Sequence, residues 1–75
     1  MAKLNTKIRY LCQDKDGGVH ASISRKPIIK WEEWFECDIY HIYDGKENPN
    51  WRNTLIDLDV DDYEFEDGIL RRIEK

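Results

Sequence analysis

The sequence predicts a small, mainly β or α+β domain, in which two hairpins flank a central strand in an antiparallel sheet, with at most one short helix. Two alternating segments end in glycine-containing turns, Asp16-Gly17-Gly18 and Asp67-Gly68, as β-hairpins do. Between them, residues 31–43 are rich in aromatic and β-branched residues, which favour strands. A chain of 75 residues fits one domain, residues 1–75, with a thin core.

The first hairpin is predicted from residues 6–12 and 19–26. Gln13 is expected to begin the turn, and Pro27 ends the second strand because it has no N–H for the ladder. On this pairing Cys12 and His20 face opposite sides. The expected core positions of the returning strand are Val19, Ala21 and Ile23, and the expected solvent positions are His20, Ser22 and Ser24.

Residues 34–43 predict the central strand, which Asp44-Gly45 closes. Apolar residues in this region also fit helical spacing. A strand is favoured because the run Ile39–Tyr43 would lose rotamer freedom in a helix. The expected core face of the strand is Phe35, Cys37, Ile39, His41 and Tyr43.

Two interpretations remain for the segment that follows Pro49. Asn50 is placed to cap a short helix or turn whose inner face would hold Trp51, Leu55 and Leu58. Alternatively the segment is irregular and a strand begins at Thr54.

The C-terminal third predicts a change of direction and then the second hairpin. The alternation of apolar and acidic residues slips by one position at Asp61-Asp62, so the chain must bulge, bend or turn there. Residues 63–66 and 69–73 then pair across Asp67-Gly68. This pairing places Arg71 or Arg72 opposite Glu64 or Glu66.

Charge is distributed unevenly along the chain, whose net charge is −4. Residues 1–30 hold seven basic and two acidic residues, a balance of +5, and residues 31–75 hold five basic and fourteen acidic ones, a balance of −9. The acidic stretch, residues 57–67, has seven acids and no base. It is either an ordinary solvated face or a surface for a basic partner.

The segments 50–56 (NWRNTLI) and 66–72 (EDGILRR), with Tyr63 between them, resemble short uncharacterised proteins encoded by tailed bacteriophages. The resemblance implies a protein that inhibits host or defence machinery by contact, and no functional residue carries over from it. No apolar run reaches the length of about 18–20 residues that spans a membrane, and no signal-peptide pattern follows Met1. The expected location is therefore the cytoplasm, that of the host cell if a phage encodes the chain.

These observations predict a non-catalytic module that binds a host or defence protein. Phosphate-loop, nucleophile-elbow and Cys-His catalytic patterns do not occur, so neither catalytic residues nor a cofactor are expected. The acidic stretch would supply the contact, with an exposed aromatic side chain as its anchor. The expected contact residues are Trp51, Asp57, Asp59, Asp61, Asp62, Tyr63, Glu64 and Glu66.

Two other binding functions remain open. The first is a small-ligand site for a nucleotide-like anion, formed at a homo-oligomer interface by Arg25, Lys26, Trp31 and Trp34. The second is nucleic-acid binding through the basic N-terminal hairpin with these tryptophans as stacking platforms. It is disfavoured because the chain is acidic overall.

No metal site is expected. Cys12, His20, Cys37 and His41 lack the paired spacing of structural zinc ligands, and both thiols are expected to be free. An EF-hand loop beginning at Asp57 would have an aspartate instead of glycine at its sixth position and glycine instead of glutamate at its twelfth.

Overall fold

The computed structural model describes residues 8–74, whose strands form three antiparallel sheets. The largest has the strand order β5-β2-β1-β6, and two ribbons, β3–β4 and β7–β8, complete the fold. This confirms the small, mainly β class predicted from the sequence. The strands are β1 Tyr10–Gln13, β2 Gly18–Ser22, β3 Ile28–Lys30, β4 Glu33–Phe35, β5 Tyr40–Asp44, β6 Ile56–Asp57, β7 Asp61–Glu66 and β8 Ile69–Glu74, and a 3-10 turn spans Trp51–Asn53.

The central strand β1 is buried on both faces. Successive residues of a strand point to opposite faces of its sheet, and all four residues of β1 are buried. Leu11 belongs to one core cluster, to which the β7–β8 ribbon contributes Leu70. Cys12 belongs to a second cluster with Trp34 of the β3–β4 ribbon and Trp51. The two ribbons therefore cover opposite faces of the four-stranded sheet.

The first hairpin is confirmed, with four corrections. The strand β2 ends at Ser22, which is buried, whereas Ile23 is 45% exposed. The Ser22 hydroxyl donates to Asp38 Oδ1 at 2.8 Å, and this contact explains its burial. Cys12 lies directly opposite His20, so the two share a face. Residues 6 and 7 of the predicted strand lie outside the described residues.

The predicted single strand across residues 34–43 is wrong, although the segment is not helical either. It divides into β4 and β5, which belong to different sheets and are separated by a turn at residues 37–38. Trp34 is buried, whereas Phe35 and Tyr43 of the predicted core face are 40% and 54% exposed. Asp38 fixes the break, because its carboxylate accepts hydrogen bonds from the hydroxyls of Ser22 and Ser24.

The other two positions on the predicted core face are also misassigned. Cys37 and His41 are exposed, and only Ile39 packs against a core cluster. The strand β4 pairs with β3 and has only Trp34 buried, with exposed residues on either side of it. The alternation of core and solvent positions inferred for one long strand therefore does not apply.

The C-terminal predictions are confirmed in their main features. A turn at residues 58–60 separates β6 from β7, just before the predicted slip in alternation. The second hairpin turns at Asp67 and Gly68, whose φ angles are +54° and +79°, and Glu64 lies opposite Arg71. The short helix is a single 3-10 turn, and the side chain of Asn50 does not cap it.

The buried side chain of Gln13 joins the main sheet to the β7–β8 ribbon. Its Nε2 donates to the carbonyl oxygens of Gly17 at 2.9 Å and Gly68 at 2.8 Å. Its Oε1 accepts from Asn48 Nδ2 at 2.9 Å and from Leu70 N at 3.0 Å. The sequence assigned this residue to a turn, but it is the last residue of β1, and its amide is fully satisfied.

Gly45 allows this Gln13 junction to close. A Cβ atom on Gly45 would lie 2.4 Å from the carbonyl oxygen of Gly68 and 2.5 Å from Gln13 Nε2. The Gln13 backbone N–H donates to Thr54 Oγ1 at 2.8 Å, which attaches the segment after the 3-10 turn to the same point.

Candidate functional site

The structure divides the acidic stretch into two groups. Arg9 lies 3.4 Å from Asp57 and 3.3 Å from Asp59, and Arg72 lies 3.9 Å from Asp61. The hydrogen bond from Arg9 holds the pKa of Asp57 below its ordinary value. These three carboxylates are therefore paired within the chain and are poor candidates for a partner's cations.

The remaining acids of β7 form a row on the outer face of the β7–β8 ribbon. Asp62, Glu64 and Glu66 alternate along β7, which spaces them by about 7 Å, and we call them the acidic row. Glu64 is itself paired within the chain, 3.5 Å from Arg71. Among the described residues, Asp62 and Glu66 have no cationic group within 4 Å, so these two supply the charge of the row that is available to another molecule.

Apolar side chains flank the acidic row on β8. Ile73 pairs with Asp62 and Ile69 pairs with Glu66, so both isoleucines share the outer face with the acids. Ile73 is 41% exposed. The outer face of the ribbon thus combines a line of negative charge with apolar contact area.

The predicted aromatic anchors do not lie on this face. Trp51 is only 3% exposed, and its carbonyl oxygen accepts a hydrogen bond from Trp34 Nε1, so its assignment to an exposed contact surface is wrong. Tyr63 is half-buried and packs against the core cluster that contains Leu70. The apolar side chains on this face are instead the isoleucines of β8.

Comparisons with protein families, curated proteins and solved structures find no match to this chain.

No helix within residues 8–74 has the length and hydropathy to cross a membrane.

The residues predicted for small-anion binding are only partly together. Lys26 and Trp34 line a shallow groove of about 650 Å³, which we call the mixed groove. Arg25 instead lies 3.8 Å from Glu36, and Trp31 lies at the tip of the β3–β4 ribbon. Arg52, which the sequence did not single out, completes the groove with Lys26.

The basic N-terminal constellation is divided as well. Lys3 and Lys7 lie outside the described residues, and Arg9 is engaged by Asp57 and Asp59. Lys15 lines a groove of about 320 Å³ in which it is the only base among the described residues, and we call this the acidic groove. The acids of that groove are Asp14, Asp16, Glu32, Glu33 and Glu47.

The four residues weighed as zinc ligands include a histidine pair. The rings of His20 and His41 meet edge to face with their centroids 5.3 Å apart, and His41 Nε2 lies 2.7 Å from Asp44 Oδ1. Cys12 is buried, which raises the pKa of its thiol, and Cys37 is exposed. In the part of the chain that the structure describes, no group of three or more metal-binding side chains is assembled.

An exposed apolar patch on the β3–β4 ribbon was not anticipated from the sequence. Trp31 is 80% exposed, Ile28 is 55% exposed and Phe35 is 40% exposed. The turn that exposes this patch could not be predicted, because Trp31-Glu32 contains neither Asn nor Gly, the residues that mark such turns.

Proposed function

We propose that this chain is a non-catalytic protein-binding module that inhibits its partner by contact, acting on a host or anti-phage defence factor in the cytoplasm of the host cell. The observation that carries the proposal is the acidic row with Ile69 and Ile73 beside it on one exposed face. The resemblance to phage-encoded proteins in residues 50–56 and 66–72 supports the inhibitory role.

The acidic row favours a partner with a basic surface. Regularly spaced carboxylates attract such a surface before contact and orient it, while like-charged surfaces are rejected. A protein whose own ligand is a nucleic acid or another polyanion presents a basic surface of this kind. Binding of the row there would block the ligand, which is inhibition without catalysis.

The apolar side chains supply the affinity that exposed charges lack. Exposed ion pairs contribute little, because water and salt screen them. Burial of Ile69 and Ile73 in a contact contributes about 25 cal/mol for each Å² of apolar surface removed from water. The partner's site should therefore hold apolar area between its basic groups.

A matched pair of charge variants tests this proposal. The row variant, Asp62→Asn with Glu66→Gln, removes two charges whose side chains have no ion pair in the described part of the chain. The control variant, Glu47→Gln with Glu74→Gln, removes two exposed charges off the row that likewise have no ion pair in the described part of the chain. Immobilised wild type and both variants are exposed to the same bacterial lysate, and the dissociation constant is then measured with the purified captured protein.

The row variant should bind about tenfold more weakly than wild type, with a smaller dependence of the association rate on salt, and the control should bind as wild type does. Equal affinities for the row and control variants would refute the contact surface. If no protein is retained specifically by the wild type, the proposed function itself fails.

The mixed groove favours a second candidate function, the binding of a small organic anion. Lys26 and Arg52 have no carboxylate within 4 Å in the described residues, and the groove also contains the partly buried Leu55. The two carboxylates of the groove, Asp57 and Asp61, are paired with Arg9 and Arg72. Native mass spectrometry of the purified chain with a nucleoside monophosphate tests it. A bound nucleotide that Lys26→Gln and Arg52→Gln both abolish would support the candidate, and an unliganded spectrum at millimolar nucleotide would refute it.

A further inference from the structure

The tip of the β3–β4 ribbon holds a large side chain in a backbone conformation that suits small ones. Trp31 and Glu32 form the two-residue turn between the strands, with φ angles of +52° and +60°. Turns with positive φ at both central positions favour Asn and Gly, because a Cβ atom is crowded there. A tryptophan at the first position is therefore unfavourable for the turn.

Packing within the chain does not compensate for this conformation. The indole of Trp31 is 80% exposed, the highest value among the large apolar side chains of the described residues. Its recorded side-chain contact is the Lys30 ammonium, 4.5 Å from the centre of the ring. The fold gains little from an indole at this position, so its presence points to a contact outside the chain.

We propose that Trp31 is a binding anchor that enters an apolar pocket on a partner protein. Ile28 and Phe35 pair across the outer face of the ribbon and extend the apolar surface behind the tip. Lys30 Nζ lies between the two rings, 5.1 Å from the centre of Phe35. An exposed tryptophan beside further apolar side chains is the usual composition of the energetic centre of a protein interface.

Charge around the tip determines which kind of partner fits. Glu32 and Glu33 continue from the ribbon into the acidic groove, where Asp14, Asp16 and Glu47 add three more carboxylates. Nucleic acids and anionic lipid surfaces are repelled by such an environment. The partner is therefore a protein whose apolar pocket is surrounded by Lys or Arg.

This anchor is separate from the acidic row. The β3–β4 and β7–β8 ribbons cover opposite faces of the four-stranded sheet, so the two surfaces point away from each other. Loss of one contact would leave the other in place.

The test uses the full chain with Trp31→Asn, a residue that suits the positive-φ turn, and Ile23→Asn as a control that removes an exposed apolar side chain outside both grooves. Proteins captured from a bacterial lysate by wild type and by Ile23→Asn, and lost by Trp31→Asn, are purified and titrated. The expected loss of affinity for Trp31→Asn is about thirtyfold.

Fluorescence locates the contact independently of the capture. Trp34 and Trp51 are 7% and 3% exposed, so acrylamide quenching of the chain reports mainly on Trp31. Binding of the captured protein should reduce the quenching of Trp31 by acrylamide. The signal from the same protein mixed with Trp31→Asn is subtracted first, so that the difference reports on Trp31. An unchanged affinity of Trp31→Asn, or a Trp31 that stays quenchable in the complex, would overturn the proposal.

Two polyanion probes complete the test. Oligo-dT and phosphatidylglycerol vesicles are added to the wild-type chain under the same conditions. Protection of Trp31 by either would assign the indole to a nucleic acid or a membrane and would also overturn the proposal. The row variant, Asp62→Asn with Glu66→Gln, should retain the Trp31-dependent protein, which separates this inference from the proposed function.

Discussion

Replacement of Gln13 by Leu should remove about half of the stability of the domain. The substitution keeps an apolar side chain of similar size but leaves the Leu70 N–H and the Asn48 amide without their acceptor. A buried polar group that loses its partner costs about 1–3 kcal/mol, so these two donors alone cost about 2–6 kcal/mol. The carbonyls of Gly17 and Gly68 each lose one of two donors, because the backbone N–H groups of Gly45 and Lys46 still bond to them.

The importance of this loss depends on the total free energy of unfolding of the domain. At about 0.05–0.15 kcal/mol per residue, a chain of 75 residues has a free energy of unfolding of about 4–11 kcal/mol. Gln13→Leu therefore removes about half of it or more. Urea unfolding followed by tryptophan fluorescence measures the change as a shift in midpoint at constant slope.

Two further variants test the reason for the loss. Asn50→Ala removes an exposed amide that does not cap the 3-10 turn and should change the free energy of unfolding by less than about 0.5 kcal/mol. Gln13→Glu keeps the shape of the side chain. At neutral pH its carboxylate has only acceptors, so it cannot donate to the carbonyls of Gly17 and Gly68. Protonation restores one donor, so its deficit relative to wild type should shrink as the pH is lowered. A Gln13→Leu chain that unfolds at the wild-type urea concentration would refute the account of the junction.

Three other predictions concern the turn at Glu32, the two thiols and the stability of the chain at acid pH. Glu32→Gly should raise the free energy of unfolding by about 1 kcal/mol, because glycine tolerates the positive φ at this position, and a lower urea midpoint would contradict this. A thiol reagent should modify Cys37 rapidly in the native chain and Cys12 only after denaturant is added, since Cys12 is fully buried, and rapid modification of two thiols in the native chain would contradict it. The hydrogen bond from the Ser22 hydroxyl lowers the pKa of Asp38. The stabilising effect of the ionised Asp38 carboxylate is therefore present above the unfolded pKa of about 3.9 and is lost as the pH falls through the folded pKa. Asp38→Asn should therefore reduce the dependence of the free energy of unfolding on pH below about pH 4. A dependence as steep as that of wild type would argue against this role.

The sequence was informative where local chemistry decides the structure. Asp67-Gly68 specifies a positive-φ turn by itself, and the pairing of Glu64 with Arg71 follows from it by counting. The slip at Asp61-Asp62 likewise required a change of direction, because side chains alternate with a period of two. These features depend on neighbours within a few residues.

The sequence failed where distant residues decide. The break between β4 and β5 depends on Asp38 accepting hydrogen bonds from Ser22 and Ser24, which precede it by 16 and 14 residues. Gln13 reads as a turn residue because it is polar, yet its partners lie as far along the chain as Leu70. Alternation alone could not reveal either contact.

The candidate site was predicted in part. The sequence singles out the acidic stretch as a candidate, but it does not reveal the ion pairs that Asp57 and Asp59 make with Arg9, which lies 48 residues from Asp57. The burial of Trp51 depends on its packing with Trp34 and Cys12, so its hydrophobicity could not distinguish a core residue from a contact residue. The turn at Trp31 lacks any glycine and was invisible for that reason.

The Gln13 junction also determines when the chain can fold during synthesis. Its side-chain amide bonds to Gly68 and Leu70, which lie 55 and 57 residues further along the chain and so leave the ribosome well after the first hairpin. Until then the first hairpin exposes a polar group that belongs in the interior, and closing so long a loop is slow. We therefore expect the nascent domain to stay unfolded until Leu70 has been synthesised and then to fold in a single step.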